Sequence, residues 1–508
     1  MSESRHQWIA APTQAQRAEL ADGLRLPPPL TPAVSAHRNH RGPYTAVGTV
    51  LRAVVPVALE RDPDLVSRHD VELLSVAPEL RTLAPATKET LTSLAVPEER
   101  TRFYSRLRTL RLTHGVIEFL RDHVVGLDDG PRSLVLVDVS DADPTDAEFI
   151  AVALRRLDPA VLTLVVCTDT GELPELLADA LKTHAVPVTG ATGEQQTVVG
   201  DPVELATSYV GSDGTDDRPE LLAAYQGLAA DSRARLHDAR ADALVALGEM
   251  SLDLGAIPWH RERGSDPAGA GAAALRVALD YCIDIGYYDA TVDFGVRGRA
   301  VIDWSAQFEL WWIFTTKMTT SLAALGRPEE AEDLYIEVLN FTDEPAAHMQ
   351  AAYATGMLYT RHHEPDHRDH RRAKGLLHQA IAFAGLVFQG KERLFHTVFN
   401  RNGLALVETH LGNLPEALRL VTDGLALLDR ELEPDEHRLH RSVLRYNRAQ
   451  VLAGLGRLDE ALADYDAVIA VDLNYPEYHF DRANLLHRLD RDDEALVEYD
   501  TTIALGPP

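Results

Sequence analysis

The chain has 508 residues, 45% apolar and 25% charged, a length that suits about two or three domains with well-buried cores. Its 78 acidic against 49 basic side chains leave a formal net charge of −29, which repels a phosphate backbone or an anionic lipid surface and argues against nucleic-acid binding outside a local basic patch. Two cysteines, Cys167 and Cys282, exclude a disulfide framework or a cysteine-rich zinc module. The N-terminus lacks a basic start followed by an apolar core, and no run approaches the roughly 18 apolar residues of a membrane span, so a soluble cytoplasmic protein without a membrane partner is expected.

Residues 1–40 carry no strong pattern and read as an N-terminal extension. GPYTAVGTVLRAVVPVAL from Gly42 reads as a loop and helix, and VELLSV from Val71 as a strand. LVLVDV, Leu134–Val139, is an apolar run of strand length, followed by turn residues Ser140–Pro144, a helical stretch Thr145–Leu157 and a second run, VLTLVVCT, from Val161. That order predicts a strand–helix–strand unit with buried parallel strands. VTGATGEQQT from Val188 reads as a loop, and GSDGTDDRPE from Gly211 as a linker by composition.

The stretch LVLVDVSDADPTDAEFIAVALRRLDPAVLTLVV resembles the Walker B to sensor region of STAND-type NTPases, the class of MalT-like and AfsR-like bacterial regulators. The resemblance implies a P-loop-NTPase-like α/β domain over 41–210, with the phosphate loop near Gly48 and Thr49 and a magnesium-binding acid at Asp138. The chemistry of such a site is eroded. Gly48 is followed directly by Thr49, no lysine precedes Lys88, and Val139 follows Asp138 where a second acid is common in the family. Thr168 and Asp169 stand where the family often places an arginine. The expectation is an inactive remnant in which Asp138 caps the following turn; the alternative is residual nucleotide binding at Gly48, Thr49 and Asp138.

Beyond 218 the pattern is helical. Hairpins are expected around Asp242–Leu254 and Ala272–Ile285, and FELWWIF, Phe308–Phe314, reads as helix core, with Trp304, Trp311 or Trp312 as alternative exposed anchors. LGRPEEAEDLY from Leu325, a hairpin around Ala351 and Ala373, and LGNLPEALRLV from Leu411 follow. The sequence from Tyr446 then recurs from Phe480 with a period of 34, identical at 13 of 29 aligned positions. The identities include small residues at expected helix crossings, Ala449 with Ala483 and Ala461 with Ala495, and leucines on one face. This pattern resembles the tetratricopeptide repeat (TPR) family, closely at Asp459–Leu462 and Asp493–Leu496, and departs from it at Leu473, where a closing proline is usual. The chain reaches Pro508 directly after the second helix of the last hairpin, without a polar cap, so self-association through that repeat is an expectation.

The TPR resemblance implies that the first helix of each hairpin lines a ligand groove. An aromatic-Asn/Asp-Arg triplet recurs there: Phe399-Asn400-Arg401, Tyr446-Asn447-Arg448 and Phe480-Asp481-Arg482. Asn402, Asn447, Gln450 and Asn484 could hold an extended peptide backbone, and Arg448 and Arg482 could pair a carboxylate. The alternative is that the triplets fix hairpin packing. RHHEPDHRDHRR, Arg361–Arg372, gathers four histidines, yet Pro365 interrupts the helix a zinc spacing would need, so a solvated loop is expected and no metal. No nucleophile elbow, HExxH or dinucleotide fingerprint is present. Five lysines against 44 arginines suit a high-GC bacterial genome.

The reading is therefore a mainly α protein: a degenerate α/β domain at 41–210, a linker at 211–218 and a TPR-like solenoid at 219–508. The expected role is a non-catalytic scaffold, regulatory or biosynthetic-accessory, that holds a peptide or protein partner without a cofactor. A nucleotide-sensing switch and an unrecognised enzyme are the alternatives.

Overall fold

The computed structural model describes residues 5–190, 193 and 197–506. VTGATGEQQT lies in part outside the described residues. The chain is mainly helical, with a small parallel sheet near the N-terminus. It divides into two compact units, one of Met1–Thr87, Thr109–Cys282 and Asp289–Trp311, the other of Lys88–Arg108, Ile283–Tyr288 and Trp312–Pro508.

The first unit is built on five parallel strands: β1 (His6–Ala10), β2 (Val34–Ser35), β3 (Arg132–Val137), β4 (Leu162–Thr168) and β5 (Ala185–Val188), in the order β2-β3-β4-β1-β5. Every residue of β4 is buried, which is why its sequence is an unbroken apolar run. Three helices frame the carboxyl edge of the sheet: α1 (Gln14–Asp22) after β1, α2 (Thr45–Arg61) after β2, and α3 (Pro144–Arg156) between β3 and β4. The strand–helix–strand expectation for β3, α3 and β4 is met within two residues at each boundary.

Three expectations are corrected here. Residues 1–40 are not a mere extension, because β1 lies inside the sheet between β4 and β5, with Ile9 and His6 buried. The His6 ring is satisfied at both nitrogens, by the Leu164 N–H (3.0 Å) and the Leu157 carbonyl (3.2 Å). VELLSV is helical, in Asp70–Val76, and buries Leu73, Leu74 and Val76; a six-residue apolar run does not itself distinguish strand from helix. Gly48 and Thr49 lie inside α2, whose Val47, Val50, Leu51, Val54 and Val55 recur at helical spacing and are buried, so no loop exists there to cradle a phosphate.

The 211–218 segment is anchored rather than slack, since Asp213 is buried and hydrogen-bonded. The helices Ala230–Val245, Ala272–Ile285 and Tyr288–Val301 also fall largely in the first unit.

The hairpin array runs through α4 (Phe308–Ala324), α5 (Pro328–Phe341), α6 (Pro345–Met357), α7 (His370–Val387), α8 (Gly390–His410), α9 (Leu414–Glu431), α10 (Arg438–Gly454), α11 (Leu458–Val471), α12 (Pro476–Arg488) and α13 (Asp492–Leu505). The crossing alanines Ala331, Ala417, Ala449, Ala461, Ala483 and Ala495 are all buried, so a larger side chain would force neighbouring helices apart. Turns are made alike. Gly326, Gly412 and Gly456 take positive φ, and the next amide reaches back to close the helix: Arg327 N–H to Leu322 O (2.9 Å), Asn413 to Glu408 (2.8 Å) and Arg457 to Leu452 (3.0 Å). In the last hairpin Asp490, φ 57°, takes the glycine's place, with Arg491 N–H on Leu486 O at 3.0 Å. Trp311 and Phe314 are buried, as core is, while Trp304 is 37% exposed outside the helix.

Candidate functional site: the first-helix face of the repeats

The recurring triplets lie on α8, α10 and α12. Two of their arginines turn to the second helix of their own hairpin: Arg448 forms a two-point pair with Asp464 (2.6 and 2.7 Å), and Arg482 reaches Glu498 (2.9 Å) while also bonding Asp466 (2.7 Å) on α11 of the preceding hairpin. Both carboxylates of the principal pairs lie 16 residues on, at 464 and 498. Two-point guanidinium–carboxylate bonding of this kind fixes hairpin geometry. Arg401, the same position in the first triplet, has alanine 16 residues on, at Ala417, and no ion pair among the described residues.

Tyr446, Asn447 and Asp481 of the triplets bond along the array instead. Asn447 Nδ2 donates to Asn402 Oδ1 at 2.9 Å, joining α10 to α8. Asp481 accepts from the Tyr446 hydroxyl (2.7 Å) and from Gln450 Nε2 (3.2 Å), joining α12 to α10. Asn484 Oδ1 accepts from the Tyr499 hydroxyl of α13 at 2.7 Å. These side chains are half-buried or exposed, a polar ladder on the face shared by successive first helices.

An aromatic cluster underlies the ladder. Phe399 packs on Tyr353 (4.6 Å between centroids), and His440 meets Phe395 edge-on at 5.1 Å and Phe399 at 5.8 Å. His440 is fully buried with neither ring nitrogen hydrogen-bonded, and burial, with help from His437 and Arg441, pushes its pKa down to about 3.

The segment Lys88–Arg108 belongs to this same unit as an irregular strap, with single turns at residues 90–94 and at Pro97–Glu99 and the start of a helix at Arg108. At one end Leu91 N–H donates to Asp472 (3.1 Å), and Asn474 donates to the Glu89 carbonyl (2.9 Å). Arg102 stacks 3.5 Å over the Tyr475 ring and donates to the Tyr478 hydroxyl (2.8 Å), Asp472 (3.3 Å) and Thr92 (2.7 Å). Ser442 of α10 bonds the Tyr478 hydroxyl from behind at 2.7 Å. Toward the other end Arg100 pairs with Asp284 (2.9 Å), Tyr104 O accepts from Tyr288 (2.5 Å), and Arg108 donates to Ile285 O (2.9 Å). Sequence reasoning missed the strap. Its signal was RTRFYSRLR, residues 100–108, four arginines without an acid in a strongly acidic chain.

The other candidate residues lie at the carboxyl edge of the sheet. Asp138, at φ 56°, is buried and does not cap the turn after it, correcting that expectation. Its carboxylate accepts from Gln14 Nε2 (2.9 Å), Ser35 Oγ (2.9 Å) and Arg17 Nη2 (3.3 Å), and Arg17 also holds Ala11 O at 3.0 Å. The opening amides of α2, where an anion is favoured, already hold the Asp146 carboxylate: Ala46 N–H at 2.8 Å and Val47 N–H at 3.1 Å. Burial raises the Asp146 pKa to about 7 against the lowering effect of those two amides. Thr49 Oγ1 donates to Thr45 O (2.7 Å) and accepts from Arg52.

A second constellation that the sequence did not reveal centres on Asp213. It accepts from His260 Nε2 (3.2 Å), Arg240 Nε (2.9 Å) and His40 Nδ1 (3.2 Å). The chain continues through His260 Nδ1 to His237 Nδ1 (2.8 Å) and from His237 Nε2 to the Tyr225 hydroxyl (2.9 Å). One set of neutral tautomers satisfies it: Tyr225 donates to His237, His237 to His260, and His260 to Asp213.

The histidines of 361–372 part company: His362 binds Ala323 O (3.0 Å), His363 binds Glu329 (3.2 Å), and His370 stacks on His410. Among the described residues no group of three or more His, Cys, Asp or Glu could hold a metal. Nor is any described helix long and apolar enough to cross a membrane.

A tetratricopeptide-repeat family model matches residues 442–463, the heart of α10 and the start of α11. The fold is thus mainly α, with TPR-type hairpins and a small parallel sheet. No curated protein matches the chain. Solved structures with TPR folds align with parts of it: a tetratricopeptide repeat protein from Parabacteroides merdae (16% identity, 54% of this chain, 93% of that one, TM-score 0.38) and MamA of AMB-1 (20%, 38%, 96%, TM-score 0.27). YrrB, described as a TPR protein with an unusual peptide-binding site, aligns at 19% identity over 40% of this chain and 90% of its own, TM-score 0.25.

Proposed function

We propose that this protein is a non-catalytic scaffold of the bacterial cytoplasm whose tetratricopeptide hairpins hold a peptide or protein partner on their first-helix face, in a regulatory or biosynthetic-accessory role. The observation that carries this reading is the polar ladder Asn402–Asn447 and Tyr446/Gln450–Asp481, with Asn484 beyond it. Amides of this kind can exchange a neighbour for a peptide's backbone at little cost, because each is part-exposed and bonded to a single partner. Arg448 and Arg482, already paired, hold the hairpins in shape. The α/β part is an NTPase-like remnant in this reading: Asp138 is saturated by Gln14, Arg17 and Ser35, and Asp146 occupies the amides of α2.

The test is affinity purification from the native host, comparing wild type with the Asn447→Ala, Asn484→Ala double variant. A partner captured by wild type and lost from the variant, at a melting temperature unchanged within about 2 °C, supports the ladder as the contact surface. Equal capture by both sinks it. If ATP instead raises the melting temperature and Asp138→Ala abolishes the rise, the remnant reading is wrong.

A further inference from the structure

We propose that Asp472, Tyr475 and Tyr478 form an arginine-recognition seat for an extended peptide, and that the strap Lys88–Arg108 occupies it as an internal ligand. The inference deepens the partner-binding reading and rests on it.

The seat recognises two kinds of feature at once. Main-chain groups of the strap are read at Leu91 N–H by Asp472 and at Glu89 C=O by Asn474. Such contacts accept any sequence and give affinity. The side chain of Arg102 is read by shape and charge: a tyrosine face at 3.5 Å, a second at 5.2 Å, a hydroxyl and a carboxylate. Stacking on aromatic rings combined with planar donors selects arginine over lysine. Tyr478 is held ready by Ser442, from the preceding hairpin, so the seat is built by the array and not by the strap.

The strap itself has the character of a ligand. It has almost no regular structure, and none of its large apolar side chains is buried; Leu94, Val96 and Leu107 are 59%, 52% and 45% exposed. Hydrogen bonds, ion pairs and stacked arginines fix it, and these can be re-formed by another chain of the same chemistry. Its 100–108 stretch carries four arginines and no acid, whereas the whole chain carries 29 excess negative charges. The partner that fits is an extended peptide with an arginine following, about ten residues on, a segment that offers free main-chain groups. Because the strap is tethered, it competes at an effective concentration on the order of millimolar, and the partner must overcome that.

The experiment uses the full chain and a fluorescein-labelled synthetic peptide of residues 88–108, read by anisotropy. Arg102→Ala in the chain frees the seat and is expected to tighten peptide binding at least tenfold over wild type. The peptide carrying Arg102→Ala, or a chain carrying Arg102→Ala with Tyr475→Ala, is expected not to bind. Equal or absent binding by wild type and the folded Arg102→Ala chain overturns the proposal. Should that variant not fold, hydrogen exchange on the unaltered chain decides: the Leu91 amide exchanging well before the amides of α10 and α12 supports a releasable strap, and exchange in step with them overturns it. If peptide binding fails while the native partner is still lost from the Asn447→Ala, Asn484→Ala variant, the internal-ligand idea falls and the scaffold reading stands. If the peptide binds the freed chain but that variant keeps the native partner, the seat stands and the ladder falls.

Discussion

Two arginine–aspartate pairs, each at 3.3 Å, show what framework does to one piece of chemistry. Arg17 comes from α1, a regular helix, and its partner Asp138 directly follows β3, its carboxylate also held by Gln14 and Ser35. Arg102 comes from an irregular strap, and Asp472 sits in a turn between two repeat helices. The first pair is fixed at both ends by regular structure and serves as a plug at the sheet edge. The second has no regular element at either end, and its arginine belongs to the strap proposed above to exchange.

The comparison breaks most visibly at the plug. Arg17→Ala leaves Asp138 buried without its cation, and removing one partner of a buried pair costs about 3–5 kcal/mol. For a unit of this size that lowers the calorimetric transition by roughly 10 °C. Replacing both groups, Arg17→Met with Asp138→Leu, is expected to restore part of the loss, since Asp138 is then not left as a buried unpaired charge, while the part-exposed Asp217, 3.6 Å from Arg17, still loses its cation. A mild effect of Arg17→Ala would mean the pair is solvated and the plug reading is wrong.

How much of this was legible in the sequence depends on the range of the contact. The period of 34 marked the crossing alanines because each is fixed by its own and the next hairpin, and the apolar runs of β3 and β4 marked buried strands. β1 escaped because HQWIA offers two large apolar residues and gains its place from the strands on either side. The triplet arginines were seen without their partners, although a carboxylate 16 residues on recurs in both copies. Asn447 was legible as a position and Asn402 as its neighbour; the bond between them needed the array. The Asp213 network joins residues 12 to 173 apart in sequence, and no local pattern carries that.

That network gives the second prediction. Asp213 is the acceptor for two histidines and an arginine, which hold its carboxyl well below the usual range despite burial. Asp213→Asn removes the charge and is expected to cost about 2–3 kcal/mol, read as a lowered melting temperature. The histidines add pH dependence. Burial pushes His237 down to about 3, so the folded state leaves it neutral while the unfolded chain protonates it below about 6.5. Its contribution is full above 6.5 and is lost as pH falls toward 3.

His440 carries the same behaviour into the repeats. Its two nitrogens are buried and unpaired, and its pKa of about 3 implies the same loss on acidification, about 2 kcal/mol between pH 7 and pH 5. His440→Leu removes the orphaned groups and the titration together. The variant is expected to be at least as stable as wild type at pH 7 and more stable by about 2 kcal/mol at pH 5, followed by chemical denaturation at both pH values. Equal acid sensitivity in the two chains would assign the loss elsewhere.

The smallest effect concerns the turns, where one hairpin differs from its neighbours. Gly456 and Asp490 occupy equivalent positive-φ positions, at 76° and 57°, yet only glycine lacks the Cβ that resists that region. Gly456→Ala is expected to cost about 1 kcal/mol, since alanine has no side chain to compensate the left-handed backbone. Asp490→Gly relieves the backbone but frees the unfolded chain, and the two contributions oppose, leaving a gain of at most about 0.5 kcal/mol. Melting temperatures moving in these two directions would show that the repeat closes every hairpin by the same device and that the last one does so under slight strain. A loss on Asp490→Gly would mean that the aspartate contributes more than a tolerated conformation, through its charge near the first turn of α13.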